Sequence, residues 1–308
     1  MNIQKYKVRI FGIAFIGLCF VLLNSQKSFA QLYPLGSSLY QNNYLTNPAE
    51  VGSDDKLLVN LAYRQQATAI SSGQISQSAT VGYSLGEKVG LGLNILREEI
   101  GLFNATKAVA TYAYHLPLNQ NGRSLSFGLS LGIIDQQINT SDISGSIDDP
   151  LVAAFNDQGM YVDGDFGITY TENNFKLQGS VLNLRSRLEG EEGEFYSFMK
   201  STIFAAASYK FNFAESTSGI SLEPKLCYRN VEGFDDIIDG GVNLGLIEDK
   251  FNVFGMYHSS QNTTLGIGAT IKSILKINAM YTTETKDLSG YAGSNFEIGM
   301  QLALGVSK

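Results

Sequence analysis

The clearest segment of the chain reads Leu125-Ser126-Phe127-Gly128-Leu129-Ser130-Leu131-Gly132-Ile133, with an apolar residue at every odd position and Ser or Gly at every even one. This period of two predicts a β-strand with one apolar face and one small, polar face. About fourteen such segments follow one another, each closed by a turn, with no helical period between them. A soluble sandwich and an outer-membrane β-barrel both produce this local pattern, so the start of the chain decides between them.

Residues 1–30 have the three parts of a secretory signal. Lys5, Lys7 and Arg9 precede an apolar run from Ile10 to Leu23, and the segment ends in Ser28-Phe29-Ala30. A transmembrane helix is the alternative, but about fourteen apolar residues cover only about 21 Å, short of the bilayer's roughly 30 Å. We therefore expect export and cleavage near Ala30, before Gln31. An exported chain of alternating strands favours the outer-membrane barrel.

The predicted fold class is all-β: a transmembrane antiparallel up-and-down barrel of about 14 strands. Its domains are a signal peptide at 1–30, a periplasmic N-terminal segment at 31–55 and the barrel at 56–308. Cleavage leaves Cys227 as the single cysteine, so no internal disulfide is expected. The formal net charge of −7 argues against nucleic acid as a partner.

The connections alternate between short and long, as in outer-membrane barrels, where the short turns lie in the periplasm. Gly86-Glu87 and Lys272-Ser273 are tight turns, whereas 137–159, 185–199 and 284–294 are long loops. Lipid is therefore a predicted partner. Aromatic residues near strand ends, among them Tyr63, Tyr112, Tyr209 and Tyr281, fit the two membrane interfaces, although aromatics favour strands of any kind.

No motif for catalysis, phosphate binding or dinucleotide binding occurs, so we predict a protein that is not an enzyme and has no cofactor. His115 and His258 lie at predicted strand ends without a supporting cluster, and we interpret them as single interfacial side chains. The acidic loop groups allow calcium binding, but solvated loop charge is the favoured interpretation, and no metal site is predicted. The acidic groups are Asp142, Asp148, Asp149 and Asp157; Glu189, Glu191, Glu192 and Glu194; and Asp235, Asp236 and Asp239.

The stretch Tyr40-Gln41-Asn42-Asn43-Tyr44-Leu45-Thr46-Asn47-Pro48-Ala49-Glu50-Val51-Gly52, followed by Leu58 to Arg64, resembles the start of the PorP/SprF family of type IX secretion system membrane proteins. That family has an Asn-Pro-Ala-x-x-Gly motif leading into a first strand that ends in an Arg-containing patch. Gly90-Leu91-Gly92-Leu93 and Tyr112 to Leu118 are further matches. Glu50 stands where relatives often carry an aromatic residue.

The resemblance implies a non-enzymatic barrel that supports export or surface attachment of secreted proteins such as gliding adhesins. Its implied partners are a secreted cargo protein or its C-terminal domain, and periplasmic or envelope components of the type IX secretion system. Loops 137–159 and 185–199 are expected to meet the cargo, and the short turns with 31–55 the envelope components. The candidate partner-binding residues are Asn47, Pro48, Ala49, Gly52 and Arg64.

From the residues themselves, Pro48 fixes its own φ, Asn47 is extended before it, and Gly52 permits a positive φ. The segment is then a stiff turn, either at the periplasmic mouth or inside the lumen, with or without a partner. Two other functions stay open. A FadL-like transporter of hydrophobic small molecules needs an apolar pocket and a plug, and residues 31–55 are rather short and polar for a plug. A general porin needs inward charge at a constriction, whereas the inward positions are mostly Ser, Gly, Asn and Ala.

Overall fold

A computed structural model gives the fold. It describes residues 38–54, 56–66, 73–119, 122–139, 150–189, 199–213, 219–283 and 293–305. The predicted signal peptide, residues 31–37 and most of the acidic loop residues lie outside these ranges.

The described chain is built almost entirely of strands. They are β1 (Lys56–Gln66), β2 (Ile75–Leu85), β3 (Val89–Ile100), β4 (Phe103–Pro117), β5 (Arg123–Ile138), β6 (Tyr161–Glu172), β7 (Phe175–Leu182), β8 (Thr202–Tyr209), β9 (Phe211–Phe213), β10 (Ile220–Val231), β11 (Ile237–Leu246), β12 (Phe251–His258), β13 (Thr263–Ile271), β14 (Leu275–Thr282) and β15 (Asn295–Gly305).

Every strand pairs antiparallel with its neighbours, and two pairings close the ring: β1 with β15, and β10 with β11. β8 and β9 pair with the same strand, β10, and are separated only by Lys210. They occupy one position in the ring, which is therefore a closed barrel of 14 strands. The predicted barrel is confirmed, although the sequence pattern predicted one unbroken strand over 200–213.

The two faces of the wall follow the period of two. In β5, Leu129, Leu131 and Ile133 point outward and are about half exposed, whereas Ser126 and Ser130 point inward and are buried. The same alternation in the other strands covers the outside with Leu, Ile, Val, Phe and Tyr side chains. An apolar outer surface is what lipid requires and what water penalises.

Exposed aromatic side chains gather near both ends of the strands. Tyr63, Tyr228, Tyr257, Tyr281 and Phe296 lie near the loop ends of β1, β10, β12, β14 and β15. A second group lies near the short-turn ends: Tyr112, Tyr114, Tyr209, Phe211, Phe213 and Phe251. Amphipathic rings at these two levels suit the boundaries between lipid and water.

One end of the barrel carries short turns, such as 86–88 and 173–174, and the other carries the long loops. Two short helices that the sequence pattern did not predict lie in those loops: α1 (Pro150–Asp157) and α2 (Leu184–Glu189). Asn156 of α1 hydrogen-bonds in both directions with the backbone of Ile138, which holds the helix against the rim. No helix within the described ranges has the length and apolar character to cross a membrane.

Candidate functional site

Residues 38–54, here called the lumen segment, lie inside the barrel. The segment consists of three single-turn 3₁₀ helices, Ser38–Tyr40, Asn43–Leu45 and Pro48–Glu50. Its residues from Tyr44 to Val51 are all buried. The chain therefore fills part of its own lumen before it begins β1.

Local sequence chemistry shapes the segment at its Asn-Pro-Ala motif. The Asn47 side-chain oxygen accepts a hydrogen bond from the Ala49 backbone N–H at 2.9 Å, and Pro48 occupies the first helical position. An Asn cap followed by Pro is a favourable start for a helical turn. Thr46 bonds back to the Asn43 carbonyl at 2.9 Å. These contacts stiffen the segment without any help from the barrel.

The motif rests against β5 and β6. The Asn47 side-chain nitrogen donates to the Ile168 carbonyl at 3.1 Å and to the Thr169 hydroxyl at 3.0 Å. A Cβ built on Gly128 would overlap the backbone of Pro48 and Ala49, and one on Gly167 would overlap Asn47. Glycine at these inward positions lets the segment approach the wall at backbone distance.

The last residues of the segment contact the short-turn ends of β3 and β4. Gly52 has φ +70°, a conformation that favours glycine, and a Cβ there would overlap Gly90 of β3. The backbone oxygen of Val51 lies 3.0 Å from Nε2 of His115. The C-terminal end of the lumen segment therefore lies at the short-turn end, where β1 begins.

A buried carboxylate anchors the segment to β7. Glu50 lies 2.7 Å from the Lys176 ammonium and accepts a hydrogen bond from Thr169 at 2.7 Å. Burial alone raises the pKa of Glu50, but Lys176 and these hydrogen bonds outweigh it and hold the pKa below its usual value. Glu50 is thus an ionised partner for the wall.

The first residues of the segment reach across to β10 and β12. The Lys225 ammonium donates to the Leu39 carbonyl at 2.7 Å and to the Asn43 side chain at 3.1 Å. Leu39 packs in a buried cluster with Phe204, Ala206, Cys227 and Met256. Nearer the middle, Tyr44 donates to Thr111 of β4 at 2.6 Å. The segment therefore spans the lumen and contacts opposite sides of the barrel wall.

Above the segment, towards the loop end, lies a cavity of about 240 Å³, here called the loop-side cavity. Tyr44, Leu45 and Pro48 form its floor. Its wall includes Asn94, Leu96, Glu98, Ile100, Phe103, Ala105, Lys107, Asp165, Leu182, Asn183, Met199, Lys200, Val231 and Phe234. Within the part of the chain that the structure describes, the lumen is therefore divided into a filled half, which holds the lumen segment, and a hollow half, which holds this cavity.

Comparison with known proteins gives the family. The family described as type IX secretion system membrane protein PorP/SprF matches residues 28–302. The chain belongs to the PorP/SprF family. No curated protein gives a match.

Two solved structures show how this PorP/SprF chain compares with other barrels. The outer membrane protein Omp33 of Acinetobacter baumannii is 8% identical, with 80% of this chain and 98% of that chain covered and a TM-score of 0.44. The toluene transporter TodX of Pseudomonas putida is 9% identical, with 91% and 96% covered and a TM-score of 0.48. Likenesses of this size carry no argument about function.

The structure brings four of the five predicted partner-binding residues together in this PorP/SprF chain. Asn47, Pro48, Ala49 and Gly52 lie in the lumen segment and contact the barrel wall. Arg64 is buried on β1, opposite Glu297 of β15 and near the loop end, far along the barrel axis from Gly52. Their role in partner binding stays a prediction.

Three interpretations from the sequence were wrong. Residues 31–55 were expected to be too short and polar for a plug, but residues 38–54 occupy the lumen. The two histidines are not interfacial: His115 bonds to Ser126 at 2.8 Å, and His258 contacts Asp239 at 2.6 Å and Thr264 at 2.8 Å. Asp239 does not belong to an acidic loop. It lies on β11 and accepts two hydrogen bonds from Arg229 of the neighbouring strand β10.

The inward face is also more charged than the sequence pattern suggested. Buried charged side chains include Arg64, Glu98, Lys107, Asp163, Asp165, Lys225, Arg229, Asp239 and Glu297. The inward lysines at 176 and 225 have no acidic residue directly opposite on a neighbouring strand, and both bind the lumen segment instead.

Proposed function

We propose that this PorP/SprF protein is a non-enzymatic outer-membrane attachment component of type IX secretion. In this role it supports the export or surface attachment of secreted proteins, such as gliding adhesins, without being the conduit. The lumen segment carries the proposal, because a barrel crossed by its own chain offers no free passage for a polypeptide. Family membership supplies the secretion system.

The proposed orientation places the short-turn end in the periplasm and the loop end outside the cell. Cleavage of the signal peptide near Ala30 leaves a mature N-terminus that begins on the periplasmic side. The position of Gly52 beside the short-turn ends of β2 and β3 supports this direction of entry. Short periplasmic turns and long external loops are the rule in outer-membrane barrels.

The loop end is the proposed surface for the cargo protein or its C-terminal domain. Large apolar side chains are exposed there: Leu188 of α2, Met160 beside β6 and Phe234 after β10. Exposed apolar groups above the aromatic band suit a protein partner. Loops 137–159 and 185–199 hold α1 and α2 next to them.

The short-turn end is the proposed surface for periplasmic and envelope components of the secretion system. Ser53 and Asp54 are exposed at this end, after the last buried residues of the lumen segment. Partner binding through Asn47, Pro48, Ala49 and Gly52 requires release of the segment, because the wall covers them. Binding through Arg64 requires access from the loop end.

A pull-down of tagged protein tests the cargo surface. We replace residues 140–149 and 190–198 together by short Gly-Ser linkers and compare the recovery of exported proteins with that of the intact chain. The matched control replaces residues 285–290 in a third long loop. Loss of cargo with the double replacement alone supports the assignment, and unchanged recovery contradicts it.

Transport of hydrophobic small molecules and general porin activity are the alternative functions. Stable conductance of the intact chain in planar bilayers would favour the porin. The lumen segment counts against an open pore, whereas an apolar cavity above a plug is a feature that a small-molecule transporter needs.

A further inference from the structure

The loop-side cavity has a lining that is mostly apolar. Leu96, Ile100, Phe103, Leu182, Met199, Val231 and Phe234 supply hydrocarbon from the wall, and Leu45 and Pro48 supply it from the floor. Apolar cavities of this kind stay dry and bind apolar molecules. The floor belongs to the lumen segment, so a molecule in the cavity has no direct way to the short-turn end.

The buried charges in the lining already have partners. Lys107 contacts Asp165 at 2.6 Å and Asn183 at 2.7 Å. Glu98 accepts hydrogen bonds from Gln74 at 2.9 Å and from Ser76 at 2.5 Å. The remaining charged residue of the described lining, Lys200, is exposed. A charged ligand would lose its hydration here without gaining a free buried counter-charge.

Asn94 adds no acceptor to the surface that a ligand meets. Its side chain is 7% exposed, and its oxygen is buried with almost no accessible surface, in the cavity or outside it. The surface that the cavity offers to a ligand is therefore mainly hydrocarbon.

We propose that the loop-side cavity is a binding site for an uncharged small molecule with a mainly hydrocarbon body. A cavity of 150 Å³ holds benzene, so about ten non-hydrogen atoms is the size that fits. The ligand enters and leaves at the loop end. The proposal is independent of the secretion role, because it rests on the cavity alone.

Photolabelling tests the site with a defined probe, octan-1-ol carrying a diazirine. Purified protein in lipid nanodiscs is labelled with and without excess unlabelled octan-1-ol, and the modified residues are mapped by mass spectrometry. The expected result is saturable labelling of cavity residues such as Leu96, Leu182 and Met199. Octanoate, which has the same chain length but carries a charge, should compete about tenfold less well than octan-1-ol, because the buried charges of the lining already have partners.

Two variants separate the cavity from the surrounding lipid. Ala105→Leu fills the cavity and should abolish labelling. Ala110→Leu adds the same atoms to the outward face of the same strand and should leave labelling unchanged.

Labelling confined to outward side chains, equal in both variants, would overturn the proposal. So would equal competition by octan-1-ol and octanoate. If Ala105→Leu does not assemble, the comparison of octan-1-ol with octanoate in the intact chain still decides.

Discussion

The two halves of the lumen are lined differently although the same strands build both. Along β3 the inward positions read Gly90, Gly92, Asn94, Leu96, Glu98 and Ile100 from the short-turn end to the loop end. The glycines receive the lumen segment, and the larger side chains surround the loop-side cavity. Along β3, small inward side chains therefore occur where the lumen segment fills the barrel, and larger ones occur where the lumen is hollow.

The charges differ between the halves in the same way. In the filled half, Lys176 and Lys225 bind the lumen segment, across more than 120 residues of sequence. In the hollow half, Lys107 and Glu98 bind other residues of the wall and the residues beside it. The contacts that hold the filled half are thus lost if the segment leaves. The hollow half keeps its contacts, because they do not involve the segment.

Deleting residues 38–54 should have the largest effect, because it empties the filled half and joins it to the cavity. We expect the variant to conduct ions in planar bilayers on the order of tenfold or more above the intact chain, since a ring of this size leaves an aqueous lumen once it is unfilled. A deletion variant whose conductance is as low as that of the intact chain would show that the segment does not block the pore.

Gly128→Ala should loosen the segment without removing it. Its new Cβ overlaps the backbone of Pro48 and Ala49, and overpacking of this kind costs about 1–3 kcal/mol. Deuterium exchange of residues 41–52 should become about tenfold faster or more. Gly240→Ala is the matched control, because a Cβ at Gly240 meets no atom within 4 Å. Equal exchange in both variants would contradict the claim that the lumen segment packs against Gly128 at backbone distance.

Glu50→Gln should remove the ionic anchor and cost about 2 kcal/mol at neutral pH. The pKa of Glu50 is lowered in the folded chain, so its contribution is complete above the unperturbed value of 4.5 and is lost as the pH falls through the lowered pKa. The apparent Tm difference between Glu50→Gln and the intact chain should therefore shrink under acid. Glu87→Gln, in an exposed turn, should show no difference at any pH.

Lys210→Met should have the smallest effect. Lys210 and Asp249 form an ion pair at the short-turn end with side chains 40% and 47% exposed. Such pairs contribute less than about 1 kcal/mol and weaken in salt. Heat denaturation of Lys210→Met and Lys176→Met side by side should show the larger loss for Lys176, and the reverse order would contradict the difference between the two sites.

The period of two was enough to predict the strands, their faces and the alternation of short and long connections. It works because register along a strand fixes which residues face lipid. It did not predict α1 and α2, which are only one or two turns long. Nor did it place the lumen segment, whose contacts join Asn47 to Thr169 and Leu39 to Lys225 across the barrel. Contacts across the lumen form only once the barrel has closed, and a pattern of neighbouring residues in the sequence does not show which residues then meet.

The most direct test of the filled lumen is a thiol cross-link between the segment and the wall. In a Cys227→Ala background, Asn47→Cys is combined with Thr169→Cys on β6 or with Asn278→Cys on β14, which lies opposite in the ring. A short bifunctional thiol reagent should join 47 to 169 in most molecules and leave 47 and 278 unjoined. Absence of the 47–169 product, or equal yields from both pairs, would contradict a lumen segment seated on β6.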